Sequence, residues 1–145
     1  MFKFTVRPAG IADFTAIYKL NSLILGSKLE TEAAERVYRN ILSDPEQILF
    51  AVIHSGNVIG YTHVRQVNNL FEERYSEIVS IAIYDYYLDK NADSELLGAA
   101  GKWSEQMLSN KIIFSRNAGK SVSSSSLLKN GFGEYALEGY EKILL

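Results

Sequence analysis

One stretch of the chain, residues 77–97 with the sequence EIVSIAIYDYYLDKNADSELL, limits the choice of fold more than any other. Its first part, Glu77 to Ile83, is largely apolar and predicts a strand. A polar turn follows, and then a helix whose apolar positions are Leu96, Leu97, Ala100, Trp103 and Met107. A strand that leads into a helix N-terminus brings free backbone N–H groups together, and such groups can hold a phosphate. The framework of an anion site is therefore expected here, although the glycines that usually admit a phosphate are missing.

Length and composition indicate one globular domain over residues 1–145, because the chain is 47% hydrophobic and 22% charged. The net charge of −2, without a basic cluster, argues against nucleic acid as a partner. The absence of cysteine excludes disulfides and fits the reducing cytoplasm, where we expect the protein. The N-terminus does not have the composition of a signal peptide, and no run of about 18 apolar residues predicts a membrane span. Two histidines without clustered carboxylates predict no metal site.

Apolar periodicity and turn residues predict the element order β-α-α-β-β-β-α-β-α-β-β. Ser27 and Glu30 have the spacing of a capping box before the second helix, and Gly56 supplies the positive φ that a hairpin turn needs. The predicted elements are strand Phe2–Arg7, helix Ile11–Leu25, a helix after Glu30 that ends at Asp44-Pro45, strands Gln47–Ile53, Val58–Gln66 and Glu77–Tyr84, helix Ser94–Leu108, strand Lys111–Phe114, helix Ser121–Lys129, and strands Phe132–Ala136 and Tyr140–Leu144.

Three pieces of this order carry a resemblance to a known family. The segment ILFAVIHSGNVIGYTHV, the run Lys129-Asn130-Gly131-Phe132 and the closing Tyr140-Glu141-Lys142-Ile143-Leu144 occur in the same order as in the GNAT acyltransferase superfamily. The chain resembles that family over nearly its whole length. The resemblance implies a mixed, mostly antiparallel α+β sheet that splays open after Ile83. It also implies transfer of an acetyl group from acetyl-CoA, as cosubstrate, to a small-molecule or peptide amine.

The resemblance also implies which residues would contact acetyl-CoA. The backbone of Ile81 and Ile83 would hold the pantetheine arm, as an added strand does. The family segment L-A-V-D-P-x-Y-R-G-K-G-I-G lies over residues 81–93. Its pyrophosphate loop corresponds to Leu88, Asp89, Lys90, Asn91, Ala92 and Asp93, and Asn117 is a further contact candidate.

This loop departs from the family pattern at three positions. Leu88 replaces an Arg or Gln, and Asn91 and Asp93 replace two glycines. Asn tolerates positive φ, so the change at residue 91 is mild. Asp93 puts a carboxylate where two phosphates would lie and predicts weak cofactor binding. In the other interpretation Asp93 is simply an N-cap, which accepts the free N–H groups of the helix itself.

Glu77 is the candidate general base that the resemblance implies, because it lies six residues before Ile83 on the strand. A half-buried carboxylate there can take the proton that an amine must lose before it attacks a thioester. The alternative is an ordinary solvent-facing strand residue. Leu127 stands where the family has a tyrosine as proton donor, and Lys120 where it has an asparagine.

These departures leave a second function open. A catalytically silent module of the same fold, which binds a protein or a small ligand, explains the missing loop residues and the missing tyrosine. Conversely, Arg116, Lys120 and the hydroxyls of Ser121–Ser126 could supply phosphate contacts in place of the glycines. A homodimer is a further option for either function.

Overall fold

The computed structural model describes residues 2–115, 117–134 and 140–144. Five strands form one sheet in the order β1-β2-β3-β4-β5, in which only β4 and β5 are parallel. This is the mixed, mostly antiparallel α+β architecture that the sequence predicts. The elements are β1 Thr5–Pro8, α1 Phe14–Leu23, α2 Thr31–Ser43, β2 Gln47–His54, β3 Asn57–Val67, β4 Tyr75–Ile83, α3 Ala92–Gln106, β5 Ile112–Phe114 and α4 Ser124–Lys129, with 3₁₀ turns at Ile11–Asp13 and Asp85–Tyr87.

The predicted element order is confirmed as far as α4, but one local prediction is wrong. Ser27 and Glu30 do not form a capping box, because Glu30 itself is the N-cap of α2 and makes no side-chain bond there. The Ser27 hydroxyl instead accepts the N–H of Leu29 at 3.2 Å, within the loop before the helix. The predicted final strands, Phe132–Ala136 and Tyr140–Leu144, are not found where the structure describes them, because residues 132–134 and 140–144 are not in strands. Residues 135 and 136 of the first of these lie outside the described residues.

Helices cover both faces of the sheet because strand residues on both faces are apolar. On one face α3 packs against the middle of the sheet, with a core that includes Val52, Ile78, Ile81, Ile83, Leu96 and Ala100. On the other face α1 and α2 enclose a second core that includes Ile17, Leu20, Tyr38, Leu49, Tyr61 and Ala82. The β4 strand thus contributes alternately to both cores.

An irregularity in β4 separates it from β5. His63 lies opposite Ser80 and Val64 opposite Ile78, so Val79 is an extra residue between these two strands. Such a bulge bends and twists the strand that contains it. The pairing of β5 with β4 covers only Ser76–Ile78, so the two strands separate just where the bulge begins. Beyond this point the β5 side of residues 79–83 forms one wall of a splay. The splay therefore begins at Val79 and not after Ile83, as the resemblance had implied.

Candidate active site

The splay between β4 and β5 is occupied by the chain itself. The N–H of Ile81 donates to the carbonyl oxygen of Ala118 at 2.8 Å, and the N–H of Ile83 donates to Oγ of Ser121 at 3.0 Å. Ile81 and Ile83 are 0% exposed. The expectation that the splay exposes these two backbone groups to a ligand is therefore wrong for this conformation. We call residues 117–122 the inserted segment.

Gly119 lets the inserted segment approach β4 closely. Its φ is +126°, and a Cβ there would lie 2.7 Å from the carbonyl oxygen of Ile81 and 2.8 Å from Cδ2 of Leu25. Any other residue would clash with backbone and also be strained. Asn117, a predicted cofactor contact, is exposed at the start of this segment, and its N–H donates to Oγ of Ser115 at 3.3 Å.

The N-terminus of α3, the expected phosphate site, holds a carboxylate of the chain. Asn91 is the N-cap and has φ 70°, the left-handed backbone for which asparagine is suited, and it makes no side-chain capping bond. Asp93 is therefore not the N-cap, because it is the second residue of the helix after the buried Ala92. Its Oδ1 accepts the N–H of Ser94 at 2.8 Å, and it is only 6% exposed.

The same carboxylate joins α3 to α4. The hydroxyl of Ser126 donates to Oδ2 of Asp93, and the side-chain amide of Asn130 donates to Oγ of Ser94 at 3.2 Å. The Oγ of Ser123 accepts the N–H of Ser126 at 3.1 Å and caps α4. The hydroxyls of Ser121, Ser123 and Ser126 thus have partners within the chain, which argues against them as free phosphate ligands. Arg116, the other part of that alternative, lies outside the described residues.

Among the remaining residues of the predicted pyrophosphate loop, Lys90 lies beside two aromatic rings. Lys90 Nζ lies 3.3 Å from Oδ1 of Asp89 and 5.5 Å and 5.9 Å from the ring centres of Phe2 and Tyr86. Leu88 is 36% exposed. The only cation of this loop is therefore engaged by a carboxylate and two rings rather than held at the helix N-terminus.

Glu77, the candidate base, forms an ion pair with the residue opposite it on β3. Nε and Nη2 of Arg65 each lie 2.7 Å from Oε1 of Glu77. The Glu77 side chain is 23% exposed. No partner of Oε2 is found among the described residues, so this oxygen remains able to accept a proton.

A cavity of about 320 Å³ lies beside this ion pair, between α1, α2 and the sheet. Tyr61 and His63 on β3 contribute to its floor, together with Val79 at the bulge of β4. Alternation along β3 puts Tyr61, His63 and Arg65 on one face. This alternation is a signal in the sequence from which the shared face of the three residues can be predicted. The full lining is Phe14, Ile17, Tyr18, Asn21, Ser27, Leu29, Ala34, Val37, Tyr38, Ile41, Leu49, Tyr61, His63 and Val79.

Polar groups at the cavity floor are tied into the fold. The Tyr61 hydroxyl donates to Oδ1 of Asn21 at 2.6 Å and shares a 2.8 Å bond with the hydroxyl of Ser80. Nε2 of His63 lies 2.7 Å from Oε1 of Gln47. Burial, assisted by the charge of Arg65, lowers the pKa of His63 to about 4. The ring is therefore neutral at pH 7, and because Nε2 must donate to the amide oxygen, Nδ1 is the acceptor.

Two other kinds of site are absent from the part of the chain that the structure describes. Within the described ranges, His, Asp and Glu side chains form no group of three that could hold a metal ion. The described helices also include none whose length and hydropathy would let it cross a bilayer.

Neither a protein-family model nor a curated protein matches the sequence. Solved structures do match. A GNAT family acetyltransferase from Staphylococcus aureus has 17% identity and a TM-score of 0.72, over 97% of this chain and 98% of that one. The aminoglycoside 6'-N-acetyltransferase AAC(6')-Ih of Acinetobacter baumannii has 12% identity and a TM-score of 0.81, over 99% of both chains. AAC(6')-Iy, in complex with the bisubstrate analogue CoA-S-monomethyl-acetylneamine, has 14% identity and a TM-score of 0.83, over 97% and 99%.

The chain has the GNAT fold. The likeness covers nearly the whole length of each chain. It confirms the architecture that the three resembling sequence segments implied. At this level of identity it concerns the fold, and the chemistry must be argued from the residues.

Proposed function

We propose that this chain is an N-acetyltransferase, which moves an acetyl group from acetyl-CoA to an amine. The observation that carries the proposal is the β4–β5 splay, which opens at the bulge of Val79 directly beside a cavity on the face of Glu77. The fold likeness supports it, because the similar AAC(6')-Iy is described in complex with a CoA bisubstrate analogue. A single domain of residues 1–145 contains all of these parts.

The reaction class sets what the chain's residues must do. An amine nitrogen bonds to the thioester carbon, the carbon–sulfur bond breaks, and coenzyme A leaves as a thiolate that takes up a proton. The amine must first lose a proton, and Oε2 of Glu77 can accept it directly or through water. Arg65 holds the other carboxylate oxygen, which fixes the orientation of the base. Leu127 cannot protonate the thiolate, so solvent is the proton donor in this proposal.

Acetyl-CoA does not fit the splay while the inserted segment lies in it. Two β4 donors are occupied by Ala118 and Ser121, and Asp93 takes up one free N–H at the start of α3. The transferase therefore requires a second state in which residues 117–122 leave β4. A ligand shifts such an equilibrium only by its differential affinity for the two states. We accordingly expect apparent acetyl-CoA affinity to be weak.

The occupied donors favour a second candidate from a different class. A silent GNAT-fold module would keep the inserted segment in the splay permanently and use the fold to bind another ligand. The Asp93–Ser126 bond and the fit of Gly119 against Ile81 support this candidate, since both tie down the segment and the helix that follows it. Localisation in the cytoplasm and a homodimer remain predictions for both candidates.

Hydrogen exchange with and without acetyl-CoA separates the two candidates. If acetyl-CoA enters the splay, amides of residues 81–93 should gain protection while those of residues 117–122 lose it, because the segment is displaced. Coenzyme A without the acetyl group should act similarly, since most contacts are to its arm and phosphates. Calorimetric titration of the same protein gives the affinity.

The silent module predicts a different result. A ligand that binds only the native state must stabilise it. Because neither acetyl-CoA nor coenzyme A binds to a silent module, neither should change hydrogen exchange or the melting temperature at millimolar concentration. If acetyl-CoA increased the protection of residues 81–93 and also of residues 117–122, the ligand would bind elsewhere. That outcome would contradict the proposed cofactor site.

A further inference from the structure

The cavity between α1, α2 and the sheet has a lining without formal charge. Its fourteen lining residues include no Asp, Glu, Lys or Arg. Burial keeps the one titratable imidazole, His63, neutral at pH 7. Moving a charged group into such surroundings without a partner is costly, and a polycation would leave several charges unpaired. The body of any ligand that enters must therefore be uncharged.

Aromatic and aliphatic side chains dominate this lining. Four rings, those of Phe14, Tyr18, Tyr38 and Tyr61, surround the cavity together with aliphatic side chains of α1, α2 and β2. The volume of about 320 Å³ is at the lower end of the range for small-ligand pockets. It admits a single ring or a short alkyl chain, and it is too small for a large oligosaccharide.

The hydroxyls of three tyrosines are already used. Tyr18 donates to the carbonyl oxygen of Leu29 at 2.8 Å, Tyr38 to that of Gly10 at 2.5 Å, and Tyr61 to Asn21. Nδ1 of His63 has no hydrogen-bond partner among the described residues. This nitrogen thus offers an acceptor at the floor, which suits a ligand with a polar N–H or O–H group.

An ion pair lies near one edge of the cavity. Glu77 on β4 lies opposite Arg65 on β3, and Arg65 is two residues beyond His63 on the same face of β3. Two residues along a strand span roughly 7 Å. An amine joined to a small apolar body can therefore reach the free Oε2 of Glu77 while the body lies over His63.

We propose that the acceptor is a small primary amine with an uncharged aryl or alkyl body, which occupies the cavity over Tyr61 and His63 while its amine lies at Glu77. This inference rests on the proposed function for its reaction. The binding part can be tested without acetyl-CoA. The proposal excludes polycationic acceptors, because a site that binds them needs several carboxylates.

The test is a calorimetric titration with 2-phenylethylamine, and spermidine as the polycationic comparison. We expect 2-phenylethylamine to bind at least tenfold more tightly than spermidine and to shift the amide resonances of His63 and Val79. Val37→Phe should weaken binding at least tenfold, because Val37 lines the cavity and is 50% exposed, so a larger side chain fills space at tolerable cost to folding. Asn40→Phe, an exposed change on the same helix outside the lining, should bind as the wild type does.

Several results would overturn the inference. They are spermidine binding as tightly as 2-phenylethylamine, no binding of 2-phenylethylamine, and unchanged affinity in a folded Val37→Phe variant. If that variant does not fold, the wild type provides the test, and 2-phenylethylamine must shift the amide resonances of His63 and Val79 for the inference to hold. Binding of the amine in a protein that ignores acetyl-CoA would refute the transferase but support the cavity's ligand class.

Discussion

The backbone nitrogen of Ile83 lies 3.0 Å from Oγ of Ser121, and both residues are buried. This bond and the one from Ile81 to Ala118 close the side of β4 that β5 leaves open. A side chain thus substitutes for a strand partner across 38 residues of sequence. The accessibility of the splay depends on whether this bond breaks.

Removing the acceptor should loosen the inserted segment. We expect Ser121→Ala to lower the free energy of unfolding by about 1–3 kcal/mol, since it leaves the buried N–H of Ile83 without a partner. The Ile83 amide should also exchange faster, and acetyl-CoA should bind more tightly. Urea denaturation, amide exchange and calorimetry measure these effects. Ser124→Ala is the control, because Ser124 is exposed at the start of α4. Equal stability of the two variants would contradict the role assigned to Ser121.

The charge of Asp93 should limit acetyl-CoA binding. Replacement by glycine, with Asn91→Gly beside it, should strengthen binding roughly ten- to a hundredfold, equivalent to about 1–3 kcal/mol, because repulsion of the pyrophosphate disappears. Asp93→Asn should give part of this gain and keep an acceptor for the Ser94 N–H. The measurement is calorimetric titration with acetyl-CoA.

Glu95→Gln is the matched control for this prediction. Glu95 is an exposed acid in the same first turn of α3, so its loss changes the net charge equally. A gain as large as that from Asp93→Asn would show a general charge effect instead of a local one. No gain in either variant would mean that the phosphates do not bind at this helix.

The sequence predicted the framework of the site but not its occupation. The strand, the turn and α3 follow from local periodicity, and the left-handed backbone of Asn91 follows from its residue type. The inserted segment depends on contacts between β4 and residues near 120, and hydrogen bonds at that separation leave no local pattern. The serines there predicted a helix and phosphate contacts, whereas the structure begins α4 at Ser124 and uses Ser121 to bind β4.

The cavity cannot be predicted from the sequence for a related reason. Alternation puts Tyr61 and His63 on the same face of β3, but the sequence does not say that α1 and α2 cover this face with a gap beneath them. The sequence pattern around His63 therefore does not distinguish a packed or surface residue from one that lines a cavity. Its bond to Gln47 and its lowered pKa both arise from burial between elements that are distant in sequence.

Glu77 should affect turnover without affecting cofactor affinity. If it is the base, Glu77→Gln lowers the rate at neutral pH, and the rate recovers as pH rises because more of the acceptor amine is already neutral. Steady-state assays with 2-phenylethylamine from pH 6 to 9 and calorimetry with acetyl-CoA provide the measurements. Glu73→Gln, at an exposed acid before β4, is the control. Wild-type turnover in Glu77→Gln would remove this residue from the mechanism.

His63 should make the stability of the fold depend on pH between 6.5 and 4. Its pKa is lowered from 6.5 to about 4 in the folded chain, so within this window the unfolded chain binds more protons. The free energy of unfolding therefore has its full value with respect to His63 above pH 6.5. It decreases by at most about 3 kcal/mol as pH falls toward 4. The pKa of Asp13 is also lowered, by its bond to Arg7, but from 3.8, so the stability that depends on it is lost only at lower pH.

Urea unfolding of wild type and His63→Gln at pH 4.5, 5.5, 6.5 and 7.5 tests the predicted pH dependence. The difference between the two proteins cancels the carboxylates they share, and it should shrink or reverse toward acid pH. Parallel stability curves would show that the folded protein accepts a proton at His63 as readily as the unfolded chain does.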